Sequence, residues 1–157
     1  MFDPANSLLQ PGQVLARGVC RFLIEEGGAP ITEFVPASGL RTDVTAVMAN
    51  GDIWVVECKS SLADFQSDAK WGDYLEWCDR FFFAVPEDFP VERLPENEGL
   101  IIADGFFAEV ARPAAMRKLA PARRKSQMAR LARVAMLRLR TEADPGVAAM
   151  VDSSARV

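Results

Sequence analysis

Residues 42–59 constrain the fold of this chain more than any other segment, because they contain two strand-forming stretches joined at Asn50-Gly51. An Asn-Gly pair between such stretches is the strongest short-range sequence signal of a β-hairpin. The second stretch includes residues 53–56, an unbroken apolar run of the kind found where both faces of a strand are covered. The sequence therefore predicts a hairpin whose second strand lies in the core.

The register of this hairpin decides which polar side chains meet at its open end. Side chains alternate between the two faces of a strand, so Glu57 and Lys59 point the same way and Cys58 points to the other side. A two-residue loop would pair Asp43 with Cys58, whereas a three-residue loop over residues 49–51, with a left-handed glycine, would pair Asp43 with Glu57. We predict the second register, which brings two carboxylates and an amine together.

These three side chains allow a purely structural and a functional interpretation. Glu57 and Lys59 could form a surface ion pair worth about 0–1 kcal/mol, with Asp43 unrelated. However, carboxylates that converge beside a buried strand repel each other and lose hydration, so a cation or a raised pKa is needed to keep them there. A hard cation such as Mg²⁺, held by one or two carboxylates with water and substrate phosphate, meets that need. We therefore favour a metal site.

The residue types that the chain lacks exclude other chemistry. The sequence has no histidine, which removes Ser-His-Asp and Cys-His nucleophiles, a histidine general base and the usual His-rich metal sites. The three cysteines, Cys20, Cys58 and Cys78, are widely spaced, so we expect neither a zinc site nor disulfides. A Gly-x-x-x-x-Gly-Lys phosphate loop is also missing, which disfavours a hydrolase or binder of small phosphorylated ligands. Hydrolysis would have to rest on carboxylates, lysine and a hard metal.

The spacing of these residues carries a family resemblance. Asp43, followed after thirteen residues by Glu57-Cys58-Lys59, resembles the active-site motif of the PD-(D/E)XK nuclease superfamily, with Thr42 in place of the proline. A longer pattern, which covers roughly residues 10–135, resembles the bacterial MmcB family of DNA-repair proteins. That pattern consists of residues 38–44, 57–61 and 78–86, together with Asp64, Phe65, Asp68, Lys70, Trp71 and Tyr74.

The resemblance implies a fold and an activity. It implies an α/β class protein with a single PD-(D/E)XK nuclease-like, or restriction-endonuclease-like, domain, in which helices flank a mixed central sheet. It also implies a Mg²⁺-dependent DNA endonuclease in DNA repair, with Mn²⁺ as a substitute, other repair proteins as partners and a homodimer as the active form. Asp43, Glu57 and the backbone carbonyl of Cys58 would hold the metal, while Lys59 orients or deprotonates the attacking water. The alternative is a nuclease-fold module that binds DNA or scaffolds a repair complex without cutting.

Apolar periodicity and turn residues predict the order of elements. A helix, three strands, a second helix that begins at the Ser61 cap, and a fourth strand form the expected core. The predicted ranges are helix 11–26, strands 31–35, 42–48, 52–59 and 80–85, a short helix 91–94, strands 100–103 and 106–111, and a helix 121–140. We divide the chain into a tail (1–10), a core domain (11–112), a basic helical arm packed on that domain (113–141) and a flexible tail (142–157).

Charge is distributed unevenly along the chain. Residues 1–111 contain 19 acidic and 7 basic residues, whereas residues 112–140 contain 10 basic residues and no acidic one. Basic clusters of this kind are the electrostatic footprint of DNA binding. A solvated helix that pairs with the acidic body is the alternative, and an anionic membrane surface is disfavoured because the expected apolar arc is rich in alanine. The candidate DNA contacts are Arg17, Arg41, Arg123, Arg124, Lys125, Arg130 and Arg133; the expected arc is Met128, Leu131, Ala132, Ala135 and Leu139.

A few further residues have two interpretations each. Glu33, on the first strand, could add a third carboxylate to the site. Lys70 and Tyr74 either support the site or lie on an ordinary helix surface. The tryptophans and residues 81–83 are expected in the core and not as base-stacking platforms. Because no apolar run approaches 18 residues and the N-terminus lacks a basic start, we expect a cytoplasmic protein without a membrane partner.

Overall fold

The computed structural model of the chain describes residues 8–154. These residues form two compact units, one that ends at Leu119 and one that begins at Ala120. The first unit contains helix α1 (Pro11–Glu25), strands β1 (Ala29–Phe34), β2 (Thr42–Val47) and β3 (Ile53–Cys58), helix α2 (Leu62–Ser67), a 3₁₀ segment (Trp71–Trp77), strand β4 (Arg80–Val85), a 3₁₀ turn (Val91–Arg93), and strands β5 (Gly99–Ala103) and β6 (Ala108–Arg112). The second unit contains helix α3 (Pro121–Ala143), a 3₁₀ turn (Pro145–Val147) and helix α4 (Ala148–Ser154).

The six strands form one mixed sheet in which spatial order follows chain order, β1 to β6. Strands β1, β2 and β3 are antiparallel, β3, β4 and β5 are parallel, and β6 is antiparallel to β5. Parallel neighbours require a crossover, and α2 with the first 3₁₀ segment supplies the one between β3 and β4. The predicted α/β class, with a mixed sheet and flanking helices, is confirmed.

The predicted register of the β2–β3 hairpin is confirmed as well. Val44 lies opposite Val56, so the next pair towards the open end is Asp43 and Glu57. The three-residue loop is closed by two backbone hydrogen bonds of 2.8 Å. Gly51 has φ of 88°, the left-handed conformation that this loop requires of its last residue and that glycine adopts at no steric cost.

Helix α1 covers one face of the sheet. Its apolar residues repeat at helical spacing, and they bury their side chains against alternate residues of the strands, which share a face because the strand period is two. The largest members of this core from α1 are Leu15, Val19 and Leu23, and those from the sheet are Val44, Val56, Phe82 and Ile101. Cys58 belongs to the same cluster, so Glu57 and Lys59 point to the opposite face.

Aromatic side chains fill part of that opposite face. Phe81 and Phe83 on β4 meet edge to face with ring centroids 5.0 Å apart. Phe65 of α2 and Trp71 of the 3₁₀ segment approach Phe83 at 5.5 and 5.3 Å. This packing confirms that residues 81–83 belong to the core, and it holds the crossover segment over the strand end where the polar residues lie.

The second helix is shorter than its sequence pattern indicates. It ends at Ser67, and the next apolar residue along the chain, Ala69, is exposed. Asp68 has extended backbone and accepts a hydrogen bond from the backbone N–H of Lys70 at 2.8 Å, which ends the helix and starts the separate 3₁₀ segment. Lys70 precedes that segment and Tyr74 within it is buried, so the alternative that both lie on an ordinary helix surface is wrong.

Helix α3 extends three residues beyond its predicted end, and its buried side differs from the expected arc. Leu131 is 6% exposed, but Leu139 is 71% exposed and the two alanines of the arc are exposed. Gln127, outside the arc, is 3% exposed. The expected arc is wrong because alanine has little apolar area to bury, so it contributes little to which side of a helix is covered.

The limits of the two units differ from the four segments expected from the sequence. Residues 113–119, assigned to the arm, belong to the first unit, where the N–H of Leu119 donates to Asp79 at 2.8 Å and Arg117 pairs with Glu98. Within the expected tail, residues 142–143 end α3, and the 3₁₀ turn and α4 follow. Residues 1–7 of the expected N-terminal tail and residues 155–157 of the expected C-terminal tail lie outside the described residues.

Candidate functional site

Asp43 and Glu57 face each other at the open end of the hairpin and are held by reciprocal backbone hydrogen bonds. The N–H of Asp43 donates to Glu57 Oε1 at 3.0 Å. The N–H of Cys58 donates to Asp43 Oδ2 at 2.8 Å. Glu57 is buried, at 3% exposure, and Asp43 is partly buried. The structure thus brings the two predicted carboxylates together on one face of the sheet.

The electrostatics of this pair disfavour two negative charges. Burial, with the nearby charge of Asp43, raises the pKa of Glu57 to about 8. Burial also raises the pKa of Asp43, although the hydrogen bond from Cys58 and the charge of Lys59 act in the opposite direction. Ionising both groups leaves two like charges in a poorly hydrated place, which a cation would stabilise.

Lys59, the third predicted residue, forms an ion pair that the sequence did not predict. Its Nζ lies 2.7 Å from Asp68 Oδ2, and the two side chains are 7% and 17% exposed. Burial opposes the charge of Lys59, but the hydrogen bond and charge of Asp68, with those of Glu57 and Asp64, raise its pKa overall. Lys59 is therefore held in its protonated form.

Asp68 is the main residue of this site that sequence reasoning did not assign. Burial opposes its charge, but the hydrogen bond from Lys59 and the backbone N–H of Lys70 lower its pKa overall. The signal was present, since Asp68 is part of the family pattern nine residues after Lys59. The sequence pattern did not show that α2 ends at Ser67. Because the helix ends there, Asp68 lies beside Lys59 and not further along a helix.

The turn between β3 and α2 has its own acidic cap. Ser61 Oγ accepts a hydrogen bond from the N–H of Asp64 at 3.1 Å, as the predicted cap requires. Asp64 Oδ2 accepts a hydrogen bond from the N–H of Ser60, also at 3.1 Å. These bonds fix the backbone directly after Lys59 and so restrict where its side chain can reach.

Two of the predicted supporting residues differ in their surroundings. Tyr74 is 7% exposed, and its hydroxyl donates to the carbonyl of Arg41 at 2.8 Å. Burial, with the charges of Glu57 and Asp68, raises the pKa of Tyr74 to about 12, so this phenol stays protonated. Lys70 is exposed. Tyr74 therefore supports the segment that leads into Asp43, whereas Lys70 supplies only a backbone contact to the site.

Glu33 lies beside the site in an uncommon backbone conformation. It falls between the paired residues Thr32–Val44 and Phe34–Thr42, which places it opposite Asp43. Its φ is 53°, a left-handed value that costs free energy for residues other than glycine. Its side chain is exposed, while the hydrogen bonds from Asp43 and Cys58 that orient the two carboxylates come from β2 and β3. Glu33 remains a candidate for a third carboxylate.

The donors available to a metal ion here are oxygens. Cys58 directs its side chain into the core, where burial raises the pKa of its thiol, so only its backbone carbonyl could serve as a ligand. Within residues 8–154, no group of three or more His, Cys, Asp or Glu side chains has the arrangement of a metal site. Two carboxylates and one carbonyl, completed by water, are a donor set of the kind that Mg²⁺ accepts. The chemistry of the donors therefore fits a hard cation and does not fit zinc.

The predicted DNA contacts belong to both units. Arg17 lies on α1, where its guanidinium is 4.9 Å from the centre of the Phe106 ring, and Arg41 is exposed just before β2. The others are on α3, where Arg124 is partly buried and the rest are exposed: Arg123, Lys125, Arg130 and Arg133. Among the helices described, none has the length and hydropathy needed to cross a bilayer.

This chain is similar to solved structures of other proteins. The structure of SPO1766, a protein of unknown function from Silicibacter pomeroyi, is 56% identical and has a TM-score of 0.86, covering 88% of this chain and 95% of that one. A repair endonuclease from Pyrococcus abyssi is 23% identical over 61% of this chain and 47% of that one, and a TM-score of 0.41 is too low for any conclusion. No curated protein matches.

A family assignment comes from the sequence profile of the MmcB-like DNA repair proteins. It matches residues 4–146, which is most of the chain and includes the hairpin, the crossover segment and the whole of α3. The chain therefore belongs to the MmcB-like family of DNA repair proteins.

Proposed function

We propose that this protein is a Mg²⁺-dependent deoxyribonuclease with a PD-(D/E)XK nuclease-like fold that hydrolyses phosphodiester bonds during DNA repair. The observation that carries the proposal is the convergence of Asp43, Glu57 and Lys59 on one face of the sheet at the open end of the hairpin. Carboxylates that hold a hard metal, next to a protonated amine, match the requirements of phosphodiester hydrolysis. Membership of a DNA-repair family supports DNA as the substrate.

Asp43, Glu57 and the carbonyl of Cys58 would hold the metal. One oxygen of each carboxylate accepts a hydrogen bond from a backbone N–H: Glu57 Oε1 from Asp43, and Asp43 Oδ2 from Cys58. These bonds orient the second oxygen of each carboxylate. When bound, Mg²⁺ or Mn²⁺ would polarise a phosphoryl oxygen and lower the pKa of a coordinated water. Binding also requires Glu57 to lose its proton, so the affinity for metal should rise with pH.

Lys59 would act as a fixed positive charge. Its raised pKa favours the ammonium form, which suits orientation of water and compensation of charge that develops on the phosphate, and not removal of a proton. Asp68 would hold the ammonium in place through their 2.7 Å contact. We therefore assign Asp68 as a positioning residue for Lys59.

Basic residues would bring the DNA backbone to an otherwise acidic protein. The candidates on the first unit are Arg17 and Arg41, and those on α3 are Arg123, Arg124, Lys125, Arg130 and Arg133. Contacts of this kind release counterions from DNA, so affinity should fall steeply with salt. They would fix the position of the strand without reading its sequence.

A second candidate function is a nuclease-fold protein that binds DNA or other repair proteins without cutting. The observation in its favour is that no three-residue group of metal-binding side chains is found in the described part of the chain. Metal affinity would then depend on carbonyl, water and phosphate oxygens, which can leave a site that binds DNA but reacts slowly.

Cleavage of labelled single-stranded, duplex, flap and fork DNA in Mg²⁺ or Mn²⁺ tests the proposal. Wild-type protein should cut at least one substrate, and Asp43→Ala and Lys59→Ala should lower the rate about 1,000-fold or more. DNA binding in Ca²⁺ should survive both changes. Binding without cutting on every substrate would favour the second candidate, and equal cutting by the variants would exclude this site.

A further inference from the structure

A groove of about 950 Å³ opens where the parallel strands β3, β4 and β5 end. Ligands of open α/β sheets bind outside the carboxyl ends of parallel strands, so this is a favourable place for a substrate. Val14 and Leu15 of α1 line it together with Ser60, which directly follows Lys59, so the groove lies on the α1 side of the sheet and the end of β3 separates it from the candidate site on the other side. The rest of its lining includes residues from the end of β4 and the β5–β6 loop: Glu87, Asp104, Phe106, Phe107 and Glu109.

The wall formed by the β5–β6 loop is held rigidly against α1. Asp104 Oδ1 accepts hydrogen bonds from the N–H groups of Phe106 and Phe107 at 2.7 and 2.8 Å, which fixes the loop internally. A Cβ atom on Gly18 would collide with the backbone oxygens of Asp104 and Phe107, so only glycine allows α1 to approach this closely. The groove is thus built into the fold.

The exposed surface of the groove combines an aromatic ring with carboxylates. Phe107 is 75% exposed on the β5–β6 loop, so the face of its ring is available to a stacking partner. Glu87 and Glu109 are exposed on the same lining. Because these carboxylates repel phosphate, the groove suits an occupant with a flat apolar face and amino groups at its edge, which describes a nucleobase.

Positive charge lies just beside this acidic lining. The guanidinium groups of Arg17 and Arg21 lie 4.9 and 5.6 Å from the centre of the Phe106 ring. These two cations lie beside the groove, where a phosphate that flanks a bound base would lie.

We propose that this groove binds an unpaired nucleotide of the DNA strand, with its base stacked on Phe107 and its backbone crossing the end of β3 towards the candidate site on the other side of the sheet. The proposal rests on the function proposed above, because it gives the substrate of the same site. A base stacked in a duplex cannot enter a groove of this kind unless it is unpaired. Single strands, flaps and forks would therefore be preferred to continuous duplex.

The test measures binding in Ca²⁺ of a fluorescein-labelled single-stranded oligonucleotide of mixed sequence, a version with central abasic nucleotides, and a duplex. Wild-type protein should bind the strand that carries bases about tenfold more tightly than the abasic strand, as expected for stacking on one aromatic ring. Phe107→Ala should lose most of that difference and Phe107→Trp should keep it. Ile24→Ala, which removes an exposed apolar side chain elsewhere on α1, is the matched control and should behave as wild type.

Two results would overturn the proposal: equal binding of the base-bearing strand by wild type and Phe107→Ala, or tighter binding of duplex than of single strand. Thermal unfolding of each variant checks that it is folded. If the protein cleaves DNA in Mg²⁺ and Phe107→Ala has no effect, the proposal of a base-binding groove is refuted and the nuclease proposal stands. If binding depends on the bases and on Phe107 but no substrate is cleaved, the nuclease proposal is refuted and the proposal of a base-binding groove stands.

Discussion

Two buried carboxylate sites at opposite ends of β3 differ in how their oxygens are used. Near the start of the strand, Asp79 is fully buried, and its two oxygens accept hydrogen bonds from the N–H groups of Ile53 at 2.7 Å and Leu119 at 2.8 Å. At the other end, Asp43 and Glu57 each accept one backbone hydrogen bond and face a like charge. The difference separates a carboxylate that holds the fold from a pair prepared for a ligand.

The largest effect should come from Asp79→Asn. The amide would turn a donor towards one of the two N–H groups, which leaves a buried donor unsatisfied and should lower the free energy of unfolding by about 3 kcal/mol. Urea unfolding measures the loss. Asp43→Asn, the same change at the other end of β3, should leave stability nearly unchanged or raise it. Equal losses in the two variants would remove the distinction between the sites.

Asp68→Asn should lower the cleavage rate about 10- to 100-fold, because Lys59 loses the partner that orients its ammonium group. The pH dependence of cleavage should also change, as Lys59 loses the charge of Asp68 that raises its pKa. Asp73→Asn, an exposed carboxylate on the neighbouring 3₁₀ segment, is the control. A lower stability with unchanged rate and pH profile would show Asp68 to be structural.

The stability of metal-free protein should fall as pH rises from about 4.5 to about 8. Glu57 has a pKa of about 8 when folded against 4.5 for an ordinary glutamate, so the folded state binds more protons across that window. We expect the melting temperature in EDTA to drop by about 10 °C over this range. Glu57→Gln should remove most of the drop, and a pH dependence identical to that of wild type would contradict the raised pKa.

The smallest effects should come from single basic residues. Arg130→Ala and Arg133→Ala on α3 should each weaken DNA binding a few-fold, and each should reduce the slope of log affinity against log salt by about 1. Arg93→Ala, exposed on the first unit, is the control. Salt slopes that do not change in either α3 variant would show that these arginines do not contact phosphate.

Much of the fold was predictable because it depends on local signals. The Asn50-Gly51 turn and the parity of side chains along β3 predict the register that places Asp43 opposite Glu57. The break after Ser67 was not predictable from periodicity, because it depends on a hydrogen bond between Asp68 and the backbone of Lys70. The buried side of α3 was missed since the arc counted alanines equally with leucine.

Only three residues of the candidate site were predictable from the sequence. Asp43, Glu57 and Lys59 are placed by strand geometry, which has a fixed period. The position of Asp68 beside Lys59 depends on where α2 ends. The groove beside Phe107 depends on how closely the β5–β6 loop approaches α1 at Gly18. Asp79 shows the same limit, because its partner Leu119 is forty residues away in sequence. Distances of this kind are set by tertiary packing.

Mn²⁺ binding, followed by calorimetry on wild type, Asp43→Asn and Asp73→Asn, tests the central claim most directly. The account predicts that Mn²⁺ binds wild type and Asp73→Asn with equal affinity, and that Asp43→Asn weakens binding at least tenfold while the protein stays folded. Equal affinity in all three proteins, or no binding to wild type in the presence or absence of DNA, would contradict a metal site at Asp43 and Glu57.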